Sequence, residues 1–502
     1  MRARLAELPL LVVLLGATGV LALVPAIHAV ATDDHEVARG FFYASLILMV
    51  LTAMLGIATA GYSPRDSGRS HLAALVGAYA VLPLAMTLPM VEAVPDTSLS
   101  NAWFEMISAF TTTGATAYAP DRLSPSVHLW RALVGWFGGF IILLAAYAIL
   151  APLNLGGVEV ATGRVPGRSA PGLAQLGRAG DAADRLTRFA WRILPVYAGL
   201  TLALWLGLLV MGEQGIDALI HAMGTLSSSG ISGQVALAEG SAGRLGEVLI
   251  FLFLVFAMTR RALPGMHADR VPLRADPEMR LAALVVSGVT ALLFLRHFFI
   301  AEGSAGEDAG TVLSALWGIL FTAASFLSTS GYVSGDWEAA RLWSGADTSG
   351  LVLMGLAIFG GGIATTAGGV KLLRVYALLR HGERELDRVI HPSSVGKGGA
   401  EARRISLDGA QIAWVFFMLF GISIAVVVAL LTLLGQAFEP ALVLAIAALT
   451  TTGPLADHGG SAAVAFGLLS DPVKLVLGLA MVVGRLETLA LLALVLPGGG
   501  RR

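Results

Sequence analysis

SAFTTTGAT, residues 108–116, contains a cluster of hydroxyl side chains closed by a glycine, and the same device recurs three times. After Thr111, Thr112, Thr113, Gly114 come Ser227, Ser228, Ser229, Gly230, then Ser328, Thr329, Ser330, Gly331, then Thr450, Thr451, Thr452, Gly453. The glycines are 116, 101 and 122 residues apart, a loose internal repeat of one supersecondary unit. Any one cluster is an ordinary loop or helix-end sequence, but four at matching places in the hydropathy pattern are not. Each follows a semi-polar stretch suited to a short helix, at 103–110, 217–226, 312–327 and 441–449.

Outward from these clusters the chain is strongly apolar. Of its 502 residues 56% are hydrophobic and 13% charged, against about a quarter charged in soluble domains. The apolar residues fall into ten runs, at about 8–31, 40–61, 72–93, 128–152, 189–211, 245–262, 279–300, 348–379, 411–434 and 473–497, each near or above the roughly 20 residues that span a bilayer core. The pattern predicts an all-α polytopic membrane protein with ten transmembrane helices and four re-entrant pore helices. Residues 1–71 hold two additional N-terminal helices, followed by pore repeats at 72–160, 185–265, 279–385 and 405–502. Each repeat reads as spanning helix, half helix, hydroxyl-glycine turn, spanning helix. Irregular backbone at membrane depth survives only where protein buries it or a watery cavity faces it, so the four turns are expected to converge.

Basic residues set the orientation, because Lys and Arg in short loops stay on the cytoplasmic side. Arg65, Arg69, Arg164, Arg168, Arg178, Arg185, Arg188, Arg260, Arg261, Arg270, Arg274, Arg380, Arg384, Arg388, Lys397, Arg403 and Arg404 fall in one set of loops, while the alternate loops are acidic. Both termini are then cytoplasmic. Arg2, Arg4 and the Ala29, Val30, Ala31 triplet imitate a signal peptide, but the apolar stretch exceeds the usual 7–15 residues of a signal core, which favours retention as a spanning helix. With no cysteine, disulfides and thiolate chemistry are excluded.

A cation leaving water needs its hydration shell replaced by oxygens, and rings of pore-loop carbonyls do this in potassium channels. Glycine turns carbonyls inward without a Cβ clash, while the hydroxyls add ligands or tie the loop in place.

The segments SAFTTTGAT (108–116), WRALVGWFGGFIILLAAYAILAP (130–152), LSSSGIS (226–232), STSGY (328–332), GGGIATTAGGVK (360–371), TTTGP (450–454) and GRLE (484–487) resemble the TrkH/KtrB/HKT superfamily of potassium transporters, the TrkH branch in particular. The resemblance runs from about residue 72 to the end, and the two additional helices separate this branch from the shorter one. It implies potassium uptake through one central pore in the bacterial cytoplasmic (inner) membrane, with K+ as the transported ion and no organic cofactor in this chain. It further implies a homodimer in membrane lipid, regulated by a cytosolic TrkA-like ring of nucleotide-binding RCK subunits, and no nucleic acid. The selectivity filter carried over is Thr112, Thr113, Gly114, Ala115; Ser228, Ser229, Gly230, Ile231; Thr329, Ser330, Gly331, Tyr332; and Thr451, Thr452, Gly453, Pro454, whose carbonyls would bind the ion. Glycine in all four turns matches the potassium-selective members, whereas Ser229 and Ile231 depart from the family's usual Ser-Thr-Gly-Gly in the second.

The 348–379 run is too long for one straight crossing and should break at Gly360, Gly361, Gly362, Gly368 and Gly369. By resemblance the break is an intramembrane gate loop below the filter, with Ala364, Thr365 and Thr366 at its centre instead of Gly-Ser-Thr. Intramembrane charges default to functional hypotheses. Arg485, two residues from Glu487, reads either as half of a packing pair or, by resemblance, as a fixed positive charge near the ion path that touches the gate loop. Lys371 either joins it or marks the cytoplasmic approach. Arg192, Arg296 and His297 lie near run ends, where long side chains snorkel.

Two other function classes compete. A Na+- or H+-coupled secondary transporter with broken helices would show two related halves and carboxylates or histidines buried mid-helix. The repeat is fourfold, and the spanning runs read as nearly free of such groups. An enzyme would show a motif such as HExxH or GxSxG, and the chain has none.

Overall fold

The structure is a computed structural model that describes residues 9–61, 67–153, 155–157, 160, 180–262, 272–300, 309–345, 349–391 and 407–487. Arg65, Arg164, Arg168, Arg178, Arg270, Lys397, Arg403, Arg404 and the end of the last apolar run lie outside them.

The described residues are helical with no strand, and the chain is a multi-pass membrane protein. Eight described helices are long and apolar enough to cross a bilayer, or nine if one bent pair is a single span. This differs from the ten expected runs for a physical reason. The helix before the third turn, Ala309–Leu327, is 19 residues against 12 for each of the other three, and is itself long enough to count. Several second helices of the repeats are short or interrupted instead. In repeat 2, Gly243–Phe253 and Val255–Met258 are followed by extended Thr259. In repeat 3, Ser349–Phe359 and Leu372–Ile390 are separated by twelve non-helical residues.

The helices start and stop for local reasons. Asp34 caps His35–Ala58 by accepting from the Val37 N–H at 3.3 Å, and Ser98 caps the first pore helix, Leu99–Phe110, by accepting from Asn101 at 3.1 Å. Pro125 opens Pro125–Ala145 at a position where its missing N–H is harmless.

Burial sorts the helices into centre and rim. The most apolar window of Pro125–Leu153 is 89% buried, whereas those of His35–Ala58 and Gly409–Leu433 are 22% buried and leave Phe42, Ile47, Trp414 and Val415 exposed on the outer surface. Glycines let the central helix approach the turns. A Cβ on Gly138 would lie 2.0 Å from the Phe110 carbonyl oxygen, and one on Gly139 would lie 2.8 Å from Ser227 Cβ. Gly484 in the last helix, Asp471–Leu486, makes the same approach to the fourth pore helix, 2.2 Å from the Leu449 carbonyl oxygen.

Candidate functional site

The four pore helices end identically. The second hydroxyl residue of each cluster is left-handed, with φ of 56° at Thr112, 51° at Ser228, 59° at Thr329 and 53° at Thr451. Its N–H and the next one reach back into the helix: Thr112 to Ala109 O (2.9 Å) and Thr113 to Ser108 O (2.8 Å) in repeat 1, Thr451 to Ala448 O (3.2 Å) and Thr452 to Ala447 O (2.8 Å) in repeat 4, with equivalent bonds in repeats 2 and 3. This paired pattern is the Schellman helix stop, which normally places glycine at the left-handed position. A side chain there costs about 1–3 kcal/mol, and four repetitions of one strain mark a site.

The three hydroxyls divide their work. The first donates to its own helix, Thr111 to Ile107 O, Ser227 to Met223 O and Thr450 to Ile446 O at 2.7 Å each, and Ser328 to Ser325 O at 2.8 Å. It is also joined to the third: Thr111 to Thr113 at 2.8 Å, Ser227 to Ser229 at 2.9 Å, Ser328 to Ser330 at 3.2 Å and Thr450 to Thr452 at 3.2 Å. First and third therefore brace the turn. The middle hydroxyls of Thr112 and Thr451 are buried without a hydrogen-bond partner, Ser228 donates to Ser227 O, and Thr329 accepts from the Gly368 N–H at 2.8 Å.

The turns meet in cyclic order. A Cβ on Gly114 would lie 1.9 Å from the Ser229 carbonyl oxygen, one on Gly230 2.0 Å from that of Ser330, one on Gly331 3.0 Å from Pro454, and one on Gly453 2.3 Å from the Ala115 nitrogen. Gly114, Gly230 and Gly331 are left-handed (φ 73°, 62° and 76°), and Gly453 is not. The fourth turn instead leads into Pro454 and donates the Gly453 N–H to the Thr113 carbonyl at 2.6 Å. Beyond the glycines opens a cavity of about 850 Å³, lined by all four repeats through residues that include Ala115, Tyr332, Pro454 and Asp457.

Beneath the turns lies the buried non-helical segment 360–371, left-handed at Gly360, Ala364, Gly369 and Lys371. It is anchored on three repeats. The Gly362 N–H and the Thr365 hydroxyl donate to Ala257 O (both 3.0 Å) and the Ile363 N–H to Glu278 Oε1 (2.8 Å). The Thr366 hydroxyl donates to Leu226 O (3.1 Å), at the end of the second pore helix. A Cβ on Gly368 would lie 2.1 Å from Thr450 O, and one on Gly361 2.3 Å from Ala257 O, so the loop has no room for side chains at these glycines. Lys371 Nζ folds back onto Ala367 O, and Arg485 Nη1 donates to Thr366 O at 2.6 Å.

The charges require corrections. Glu487 pairs with Arg374 (2.6 Å), not Arg485, and the Arg374 guanidinium also sits 3.7 Å over the Phe416 ring. Arg296 and His297, expected to snorkel, hydrogen-bond to Ser344 O (2.7 Å) and Trp343 O (2.9 Å), which sets the Arg296 guanidinium at the C-terminal end of helix Trp337–Ser344. The apolar segments are also less free of charge than their hydropathy suggests. Glu105 and Arg131 form a buried pair at 2.5 Å, and Glu247 and Glu278 are buried as well. Hydropathy windows average over such single residues; the i, i+3 spacing of Lys371 and Arg374 was the one visible hint. We expect Glu487→Gln, which strips the counter-charge from fully buried Arg374, to lower stability by about 2 kcal/mol. Glu383→Gln, in an exposed pair with Arg380, should cost under about 0.5 kcal/mol, and thermal unfolding in detergent compares the two.

Comparison with known proteins adds to this geometry. A family model described as TrkH, cation transport protein, matches residues 269–497. The Trk system potassium uptake protein TrkI of Halomonas elongata is 29% identical over 82% of this chain and 80% of its own. The Trk system potassium uptake protein TrkH of Vibrio parahaemolyticus is 27% identical over 96% of both. The crystal structure of the potassium transporter TrkH from Vibrio parahaemolyticus superposes with a TM-score of 0.81, at 25% identity, over 99% of each chain.

Proposed function

We propose that this chain is a cation transport protein of the TrkH family and that it takes up potassium across the bacterial cytoplasmic membrane through one central pore. It is a transporter and not an enzyme. The observation that carries the reading is the closed ring of four hydroxyl-glycine turns, each buried at the end of its own pore helix. Backbone carbonyls around Gly114, Gly230, Gly331 and Gly453 replace the water of a dehydrated K+. The middle hydroxyls of Thr112 and Thr451 add oxygens on the inner side. The pore-helix C-termini point partial negative charge at the same place.

The loop 360–371 is the gate. It closes the path from below, and its contact with Thr329 and Thr366's contact with Leu226 tie its position to the filter. The chain works as a homodimer with both termini in the cytoplasm, where a TrkA-like RCK ring acts on the inner loops to move the gate.

Flux into proteoliposomes of purified protein tests the reading. K+ and Rb+ should enter well ahead of Na+ and Li+, down their own gradients. Equal entry of all four ions, or entry that requires an opposing Na+ or H+ gradient, would overturn it in favour of non-selective or coupled transport.

A further inference from the structure

We propose that Glu247 is a positioning residue that sets ion discrimination at the third turn, reaching it from the neighbouring repeat; this rests on the reading of the four turns as a filter.

Beyond each glycine, and in repeat 4 beyond the short helix Leu455–His458, the chain runs as irregular backbone whose N–H groups need acceptors. In two repeats an acceptor is a carboxylate of the repeat's own pore helix, and in a third such a carboxylate packs against the segment. Glu105 Oε2 accepts from the Ala117 N–H at 2.9 Å and Glu439 Oε1 from the Ser461 N–H at 2.5 Å, while in repeat 2 the Asp217 carboxylate lies so close to the segment that a Cβ on Gly233 would stand 2.0 Å from its Oδ1. The third pore helix, Ala309–Leu327, contains no acid at all. At the position fourteen residues before its glycine, where repeat 4 has Glu439, it has Trp317.

The missing acceptor comes from Glu247 on Gly243–Phe253, the second helix of repeat 2. Its Oε1 accepts from the Gly335 N–H, and its Oε2 from both the Ser334 hydroxyl and the Trp317 indole N–H, all at 2.7 Å. Glu247 is 3% exposed, and among the described residues it makes no salt bridge. A carboxylate offers only acceptors, so three donors converging on it form a set that no neutral side chain reproduces.

The consequence is a tether at each end of one filter segment. The Schellman stop at Thr329 and Ser330 fixes the inner end, and Glu247 fixes the outer end at Ser334 and Gly335. Between them, the Tyr332 hydroxyl donates to Ile231 O of the second turn at 3.2 Å, so a shift of the third segment is passed to the second. Releasing the outer end lets the carbonyls between relax toward a smaller or more loosely held ion. Conduction continues, but discrimination falls.

Flux of K+, Rb+ and Na+ into proteoliposomes, with rates per folded protein, tests this in Glu247→Gln, Ser334→Ala, Trp317→Phe and the double variant Glu247→Gln/Ser334→Ala. A K+-selective wild type is the precondition; its absence counts against the filter reading, whatever Glu247 does. Given that selectivity, Glu247→Gln should lower the K+ over Na+ ratio about fivefold, as expected for loss of a charged acceptor. The single-donor variants should each lower it less, and the double variant less than the product of its singles. A purely structural role would scale all ions together and leave the ratio unchanged, and that result overturns the proposal. If Glu247→Gln does not fold, the ratios of Ser334→Ala and Trp317→Phe decide in the same way.

Discussion

Gly114→Ser is expected to lower the K+ over Na+ flux ratio by about 10- to 100-fold, the weight of about 1.5–3 kcal/mol carried by a displaced charge-binding oxygen. Two effects combine. At φ 73° the residue lies in the left-handed region, where a β-carbon is strained. The new Cβ would also stand 1.9 Å from the Ser229 carbonyl oxygen, a contact that something must relieve. Because Ser229 belongs to the second turn, a substitution in the first turn moves a backbone carbonyl of its neighbour. A control separates the two effects: Gly243 is also left-handed, at φ 53°, but a Cβ there meets nothing within 4 Å. Gly243→Ala should cost about 1 kcal/mol of stability and leave selectivity alone. An unchanged ion ratio in Gly114→Ser would remove Gly114 from the filter.

That prediction could be framed from sequence, because a hydroxyl-glycine cluster is visible wherever it occurs four times. The division of labour among the hydroxyls was not visible. Thr111, Thr112 and Thr113 are the same residue type, and only the left-handed backbone at Thr112 turns the middle one away from its neighbours while the outer two bond each other. The departure of the fourth turn was half visible in Pro454, whose ring restricts the backbone beside Gly453. The glycine-rich break at 360–371 was legible because a run of small, flexible residues cannot hold a helix in place. Its anchorage was not, since Ala257 O, Leu226 O and Glu278 are brought to it by chain more than 80 residues away. Buried Glu105, Glu247 and Arg374 escaped for the same reason: a lone charge inside an apolar run declares itself only through a partner that tertiary structure supplies.

Arg485→Gln should raise K+ flux per molecule by about 10- to 30-fold. Two unit charges on the order of 8 Å apart repel by about 2 kcal/mol at an effective dielectric of 20, and a barrier lower by that amount corresponds to roughly thirtyfold. Arg485 is 4% exposed, and its only hydrogen bond among the described residues is from Nη1 to Thr366 O; Nε and Nη2 are buried without partners, beside the Tyr79 hydroxyl. A guanidinium so poorly satisfied weakens the fold, which argues that it is kept for its charge. The variant should therefore melt at an equal or higher temperature than wild type while conducting faster. Arg485→Lys separates charge from latch: it keeps the positive charge, so flux should stay within about threefold of wild type if repulsion dominates. Thr366→Val removes the loop's hydroxyl bond to Leu226 O but no charge, and should likewise raise flux only about two- to threefold. The effect of Arg485→Gln should also survive high salt, because a charge buried among protein groups is screened far less than one at the surface. Flux that is unchanged or reduced in Arg485→Gln, with the protein folded, would mean that the arginine neither repels the ion nor holds the loop across its path.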